Sequence, residues 1–131
     1  DSNFAALDAL AKAHAGLPVC LLVGGEVTCP VTGPGMGGRN QAFVLYAAER
    51  IAGQKRVVLS AGTDGRDGNS PTSGAVADGH TISRAHALGL DPARYRAESD
   101  SYSFFRSLGD TLDTGFTDNN VRDIRLWMDF G

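Results

Sequence analysis

Arg56-Val57-Val58-Leu59-Ser60-Ala61-Gly62-Thr63-Asp64-Gly65 is the stretch on which the fold class turns. Its apolar members Val57, Val58 and Leu59 predict a strand over Arg56 to Ala61, and that strand runs straight into a loop with glycine at 62, 65 and 68. Ahead of it, Arg39 to Ala52 places Phe43, Leu45, Ala47, Ala48 and Ile51 at helical spacing and closes on Gly53. Further back, Val19 to Val23 is a continuous apolar run without alternation, stopped by Gly24-Gly25. It predicts a strand covered on both faces.

Working outward, Ser2 or Asn3 is placed to cap a helix carrying Phe4, Leu7, Leu10 and Ala11 on one stripe, ended by Gly16 and Pro18. Val27 to Thr32 predicts a second extended piece, and Pro30 within it argues for a sheet edge. Helix is expected over much of Gly74 to Leu88, then Pro92 to Ala97 and Ser101 to Leu108; Val121 to Met128 predicts a last strand. Strands alternating with helices predict an α/β layered domain with a mixed or mostly parallel sheet flanked by helices, and residues 1–131 are expected to form a single domain.

The formal charge of -3 is spread along the chain, so no basic stripe is available to neutralise a run of phosphates, which argues against nucleic acid as a partner. No apolar run approaches the roughly 20 residues of a membrane span, and the first residues lack a signal-peptide pattern; a cytoplasmic protein without membrane contact is expected. Cys20 and Cys29 show no CxxC spacing and read as reduced. His14, His80 and His86 form no zinc motif. The outlying number is glycine, 17 of 131 residues, which calls for many special backbone turns.

Three glycine-rich turns follow predicted strands, at the carboxyl ends where ligands gather in open α/β sheets. The first is Gly24-Gly25-Glu26, which reads equally as a turn with an exposed carboxylate. The second is Gly33-Pro34-Gly35-Met36-Gly37-Gly38-Arg39-Asn40-Gln41, where glycine lets backbone approach a ligand and Arg39 begins a helix. A cation there opposes the helix macrodipole unless an anion sits over both, so an anion site is the inference, against a plain salt bridge to a neighbouring loop. Gly33, Gly35 and Gly38 also match GxGxxG, but the preceding piece is short, polar and holds Pro30, unlike the strand that precedes a dinucleotide site.

The third turn, Ala61-Gly62-Thr63-Asp64-Gly65-Arg66-Asp67-Gly68, sets two carboxylates three apart after a strand. They suit hydroxyl activation or Mg²⁺ shared with phosphates, against the bland reading of an Asx-turn. A fourth polar segment, Asp113 to Asp123, offers Asn120 as a ligand contact or as a turn-closing residue. Ser99 to Phe105 reads as structural, with Asp100 or Ser101 capping a helix that sends Phe104 and Phe105 into the core.

Taken jointly, Gly-Gly-Glu at 24–26, Gly-Gly-Arg-Asn-Gln at 37–41, Ala-Gly-Thr-Asp-Gly at 61–65, Ser-Asp-Ser-Tyr at 99–102 and Asn-Val-Arg-Asp-Ile at 120–124 resemble the MOFRL domain, the C-terminal domain of type 2 glycerate kinases. The resemblance covers nearly the whole chain, in order. It implies phosphorylation of D-glycerate to 2-phosphoglycerate with ATP and Mg²⁺, in a cleft shared with the N-terminal domain of the same enzyme. By motif, Arg39 would clamp the glycerate carboxylate or the transferring phosphoryl, and Asp64 would position or deprotonate the attacking hydroxyl or help hold the metal. Glu26, Gly37, Gly38 and Asn120 would line the same cleft. The family's proposed catalytic lysine lies in the other domain, and this chain holds only Lys12 and Lys55, so the chain alone is expected to be inactive. Members also carry the name hydroxypyruvate reductase; an NAD(P)H-dependent reductase, resting on Gly33-x-Gly35-x-x-Gly38, stays as one alternative, and a non-catalytic ligand-binding domain, suggested by the missing lysine, as another.

Overall fold

The computed structural model describes residues 2–14, 16–26 and 29–131. Among them the order is α1 (Ser2–Lys12), β1 (Val19–Gly25), α2 (Arg39–Arg50), β2 (Arg56–Gly62), β3 (Gly74–Asp78), α3 (Thr81–Ala87), α4 (Pro92–Ala97), α5 (Ser101–Leu108), β4 (Thr111–Leu112) and β5 (Asp123–Asp129). The strands form one five-stranded sheet in the order β1-β5-β2-β3-β4.

Every neighbouring pair in that sheet is antiparallel, which overturns the expectation of a mixed or mostly parallel sheet. The reason lies in β5. The β1-α2-β2 segment is a crossover whose two strands point the same way, as the alternation of elements predicts, but the C-terminal strand inserts between them and runs against both. One register fixes the functional end of the sheet: Asp123, the first residue of β5, lies opposite Gly25, the last of β1, and opposite Gly62, the last of β2.

Other expectations change as well. Gly74–Asp78 is a strand rather than the start of a helix, and α3 begins only at Thr81. The packing reason is close approach: a Cβ at Gly74 would stand 1.9 Å from the Ser60 carbonyl oxygen, so backbone contact with β2 decides this segment. Of the proposed extended piece from Val27 to Thr32, Val27 and Thr28 lie outside the described residues, and Cys29 to Thr32 joins no strand.

The core lies on one face of the sheet. Alternate residues of β5 and β2 (Arg125, Trp127, Val58, Ser60) are buried under α2, whose Phe43, Val44, Leu45, Ala47 and Ala48 are also buried. Phe104 and Phe105 of α5 are fully buried, as the structural reading of that segment expects, and Asp100 stands at the N-cap position, but its carboxylate bonds the Ser103 hydroxyl and the Met36 N–H rather than capping a helix N–H. Phe4 of α1 packs edge-on against Trp127 at 5.2 Å between centroids. Burial of each such side chain stabilises the fold by about 1.5–3 kcal/mol.

The opposite face carries Leu22, Leu59, Val76, Ile124, Leu126 and Met128, and none of these belongs to the core cluster. Leu22 is 70% exposed, and β1 alternates between part-buried and exposed instead of being covered on both sides. A sheet face this apolar is unusual for a surface left in water.

Candidate active site

The expected residues converge at the sheet end marked by Asp123. Glu26 follows β1, Arg39 opens α2, Asp64 follows β2, and Asn120 precedes β5. All four line one cavity of about 260 Å³, together with Arg122 and Asp123. Gly37 and Gly38 do not border it; they line a neighbouring cavity of about 850 Å³, to which Arg39 and Asp64 also contribute.

Arg39 is the centre of the charge arrangement. Its Nε and Nη2 donate to the two carboxylate oxygens of Asp123 at 2.6 and 3.1 Å, a bidentate pair, and its Nη1 lies 2.7 Å from Glu26 Oε1. The Asp123 hydrogen bonds raise the Arg39 pKa above its ordinary value; burial opposes this, and the charges of Asp123, Glu26 and Asp67 add to it. The guanidinium is therefore charged and fixed in direction. Asp123 is 1% exposed, and a buried carboxylate needs such a partner. Beneath it on the same strand face, Arg125 stacks on the Phe43 ring at 4.9 Å, and burial pushes its pKa down against the favourable charge of Asp123.

The anion at the N-terminus of α2 is supplied by the protein itself. Asp67, 2% exposed, accepts from the backbone N–H of Asn40 and Gln41 at 3.1 and 2.8 Å, and from the side-chain amides of the same residues at 3.1 and 3.0 Å. Gly38 stands at the N-cap without a side chain, and Asp67 does the capping from the next loop. The glycines ahead of α2 serve this packing: a Cβ on Gly38 would meet Asp67 Oδ1 at 2.3 Å, and one on Gly35 would meet the Asp100 Cα at 2.6 Å. Backbone here approaches the protein's own corners.

Asp64 Oδ1 accepts from the Arg66 N–H at 3.1 Å and Asn120 Oδ1 from the Arg122 N–H at 3.1 Å, so both form the Asx turns that the bland reading expects while also facing the cavity. The loops that carry them are stitched together: Thr63 donates from its backbone N–H and its hydroxyl to the Arg122 carbonyl, at 2.9 and 2.7 Å. Sequence reasoning had not singled out Asp123 or Arg122, and it read Asp67 beside Asp64 as a carboxylate for hydroxyl activation or Mg²⁺, whereas Asp67 is buried and takes its bonds from Asn40 and Gln41. For Asp123 the signal was present, because strand alternation puts it on the face shared by Arg125 and Trp127.

Among the described residues no group of three or more His, Cys, Asp or Glu side chains is arranged to hold a metal ion, both cysteines are free, and no helix is long and apolar enough to cross a membrane.

This architecture, a layered α/β domain with a bracketed arginine at the sheet end, has clear relatives. The family model described as MOFRL matches residues 19–123, and the chain belongs to that family. It is 44% identical over 112 residues to D-glycerate 2-kinase of Thermotoga maritima, covering 85% of this chain and 27% of that protein. It is 44% identical over 129 residues to glycerate kinase of Mus musculus, covering 92% of this chain and 24% of the relative. The crystal structure of a Thermotoga maritima glycerate kinase superposes with a TM-score of 0.87 at 36% identity, over 96% of this chain and 31% of that one. The chain thus spans about a quarter of the length of the curated relatives it matches.

Proposed function

We propose that residues 1–131 form a single C-terminal domain that builds one wall of a glycerate 2-kinase active site, where the γ-phosphoryl group of ATP passes to the 2-hydroxyl of D-glycerate. The observation that carries this reading is that Arg39 and Asp64 border both cavities at once. The larger, about 850 Å³, falls in the range of roughly 300–1,000 Å³ typical of drug-sized ligands and has room for a nucleotide; the smaller, about 260 Å³, suits a three-carbon acid. A phosphoryl group in transit between them would pass Arg39, whose fixed charge needs no reorganisation to stabilise it.

In this reading Asp64 positions the attacking hydroxyl or binds Mg²⁺. Among the described residues its carboxylate takes one bond, from the Arg66 backbone N–H, and Mg²⁺ is commonly held by one or two carboxylates completed by substrate phosphates. Glu26 and Asp123 orient Arg39, Asn120 lines the acid side, and Gly37 and Gly38 present backbone to the larger cavity. The second wall and the catalytic lysine belong to the N-terminal domain of the parent enzyme, in the cytoplasm. The uncovered apolar sheet face and the length of the relatives support that pairing.

The test is phosphoryl transfer by the full-length parent, following 2-phosphoglycerate from D-glycerate and Mg-ATP, with Arg39→Ala alongside. Product from wild type, lost in a folded Arg39→Ala protein, supports the kinase. Oxidation of NADH with hydroxypyruvate and no phosphorylated product would turn the assignment to the reductase.

A further inference from the structure

Among the described residues six line the smaller cavity, and two of them are arginines. Arg39 is committed: of its five N–H donors, three point at Asp123 and Glu26. Arg122 is not. Its side chain is 70% exposed, and the carboxylate oxygen it faces, Glu26 Oε2, lies 3.9 Å away, at the limit of an ion pair and in a setting where such pairs hold little energy.

The backbone at Arg122 is the opposite of loose. Its φ of 70° places a non-glycine residue in the left-handed region. Four hydrogen bonds hold it there: its N–H donates to Asn120 Oδ1 at 3.1 Å, its carbonyl takes both bonds from Thr63, and the Val121 N–H donates to Thr63 Oγ1 at 2.9 Å. Nothing in that arrangement needs an arginine side chain, and glycine would adopt this φ without strain. A left-handed backbone that holds a solvent-facing, weakly paired cation at the wall of a polar cavity is the pattern of a ligand-binding position.

We infer that Arg122 is a substrate-binding residue, the second guanidinium of a two-arginine site in the smaller cavity, and that its ligand is the carboxylate of the small hydroxy acid. The inference rests on the glycerate kinase reading and assigns the acid subsite within it. Arg39, pinned by a buried carboxylate, keeps two N–H donors for the reacting group. Arg122, exposed at its tip, exchanges its long contact with Glu26 for a charge-assisted bond to the entering carboxylate. Such a contact is made equally in the bound ground state and the transition state, so it sets KM and leaves kcat.

The experiment is steady-state kinetics of the full-length parent carrying Arg122→Gly and, separately, Arg122→Lys, with thermal unfolding of each. The expected result is a KM for D-glycerate raised about tenfold or more by Arg122→Gly and less by Arg122→Lys, with kcat and the KM for ATP within about twofold and a Tm at or above wild type. An unchanged KM for glycerate, a rise in the KM for ATP instead, or a loss of activity that tracks a loss of Tm would each overturn it. A wild-type parent that forms no 2-phosphoglycerate would sink the kinase reading, and is distinguished from these because it appears before any substitution is made.

Discussion

Asp67 Oδ2 accepts both the backbone N–H and the side-chain amide of Gln41, at 2.8 and 3.0 Å, and so ties the loop after β2 to the first turn of α2. Its other oxygen makes the same pair of bonds to Asn40. The consequence reaches Arg39, the residue ahead of both, because the direction of its guanidinium depends on where α2 begins.

Asp67→Asn should therefore be costly despite its near-identical shape. One carboxylate oxygen becomes an amide that faces two donors, leaving buried N–H groups unpaired at a helix start. The expected loss is about 2 kcal/mol or more, read as a lower midpoint in chemical denaturation. An unchanged midpoint would mean that Gly38 and water cap α2 well enough without it.

Asp123→Asn should act on both stability and chemistry. Asp123 is buried against Arg39 and close to Arg125, so neutralising it leaves two cations with reduced compensation. A loss of about 3 kcal/mol of stability is expected, and, on the proposed kinase reading, kcat/KM of the full-length protein should fall about tenfold or more as Arg39 loses its bidentate anchor. A double variant with Arg39→Met should recover stability but no activity, which separates the two effects.

Most helices and the crossover strands were legible from local patterns, because caps, apolar spacing and glycine stops are written in neighbouring residues, whereas a shared cleft for Glu26, Arg39, Asp64 and Asn120 came only from the family resemblance. The antiparallel sheet was not. Insertion of β5 between β1 and β2 depends on contacts between residues about a hundred positions apart, such as Val23 with Arg125, which no local period reports. Gly74–Asp78 was misread for the same reason: only its approach to Ser60 makes it a strand. The expected ligand anion over α2 has its place taken by the protein's own carboxylates, Asp67 on the helix N–H groups and Asp123 with Glu26 on Arg39, and sequence alone does not tell such carboxylates from a ligand.

The junction of α1 with the sheet should be sensitive to acid. Arg56 bridges Asp8 of α1, at 2.6 Å, and Asp129 of β5, at 2.9 Å, while Lys12 also pairs with Asp8. Burial raises the Asp8 pKa, but the hydrogen bonds and charges of Lys12 and Arg56 outweigh it and leave the carboxyl below its ordinary value of 3.8. A depressed folded pKa contributes stability that is complete above the unfolded value and lost as pH falls through the folded one. Asp8→Asn should thus be less stable than wild type by about 1 kcal/mol at neutral pH, with the gap closing as pH drops below 3.8. A gap that stays constant across that range would show that packing, not charge, is what the substitution disturbs.

The open sheet face gives the last prediction. Leu22 is 70% exposed on β1, an edge strand, and its neighbours across the sheet on that face are Leu126 and Leu59. In the chain by itself, Leu22→Lys removes apolar surface from water and breaks no core contact, so stability should change by less than about 0.5 kcal/mol while self-association falls. In the parent protein the proposed covering domain reverses the sign: a lysine would be buried without a partner, and both stability and activity should drop. Sedimentation velocity and denaturation of the two proteins, with and without the substitution, measure this. An effect of equal size in both would mean that the face stays in water in the parent, and that its apolar character serves contact with something other than the neighbouring domain.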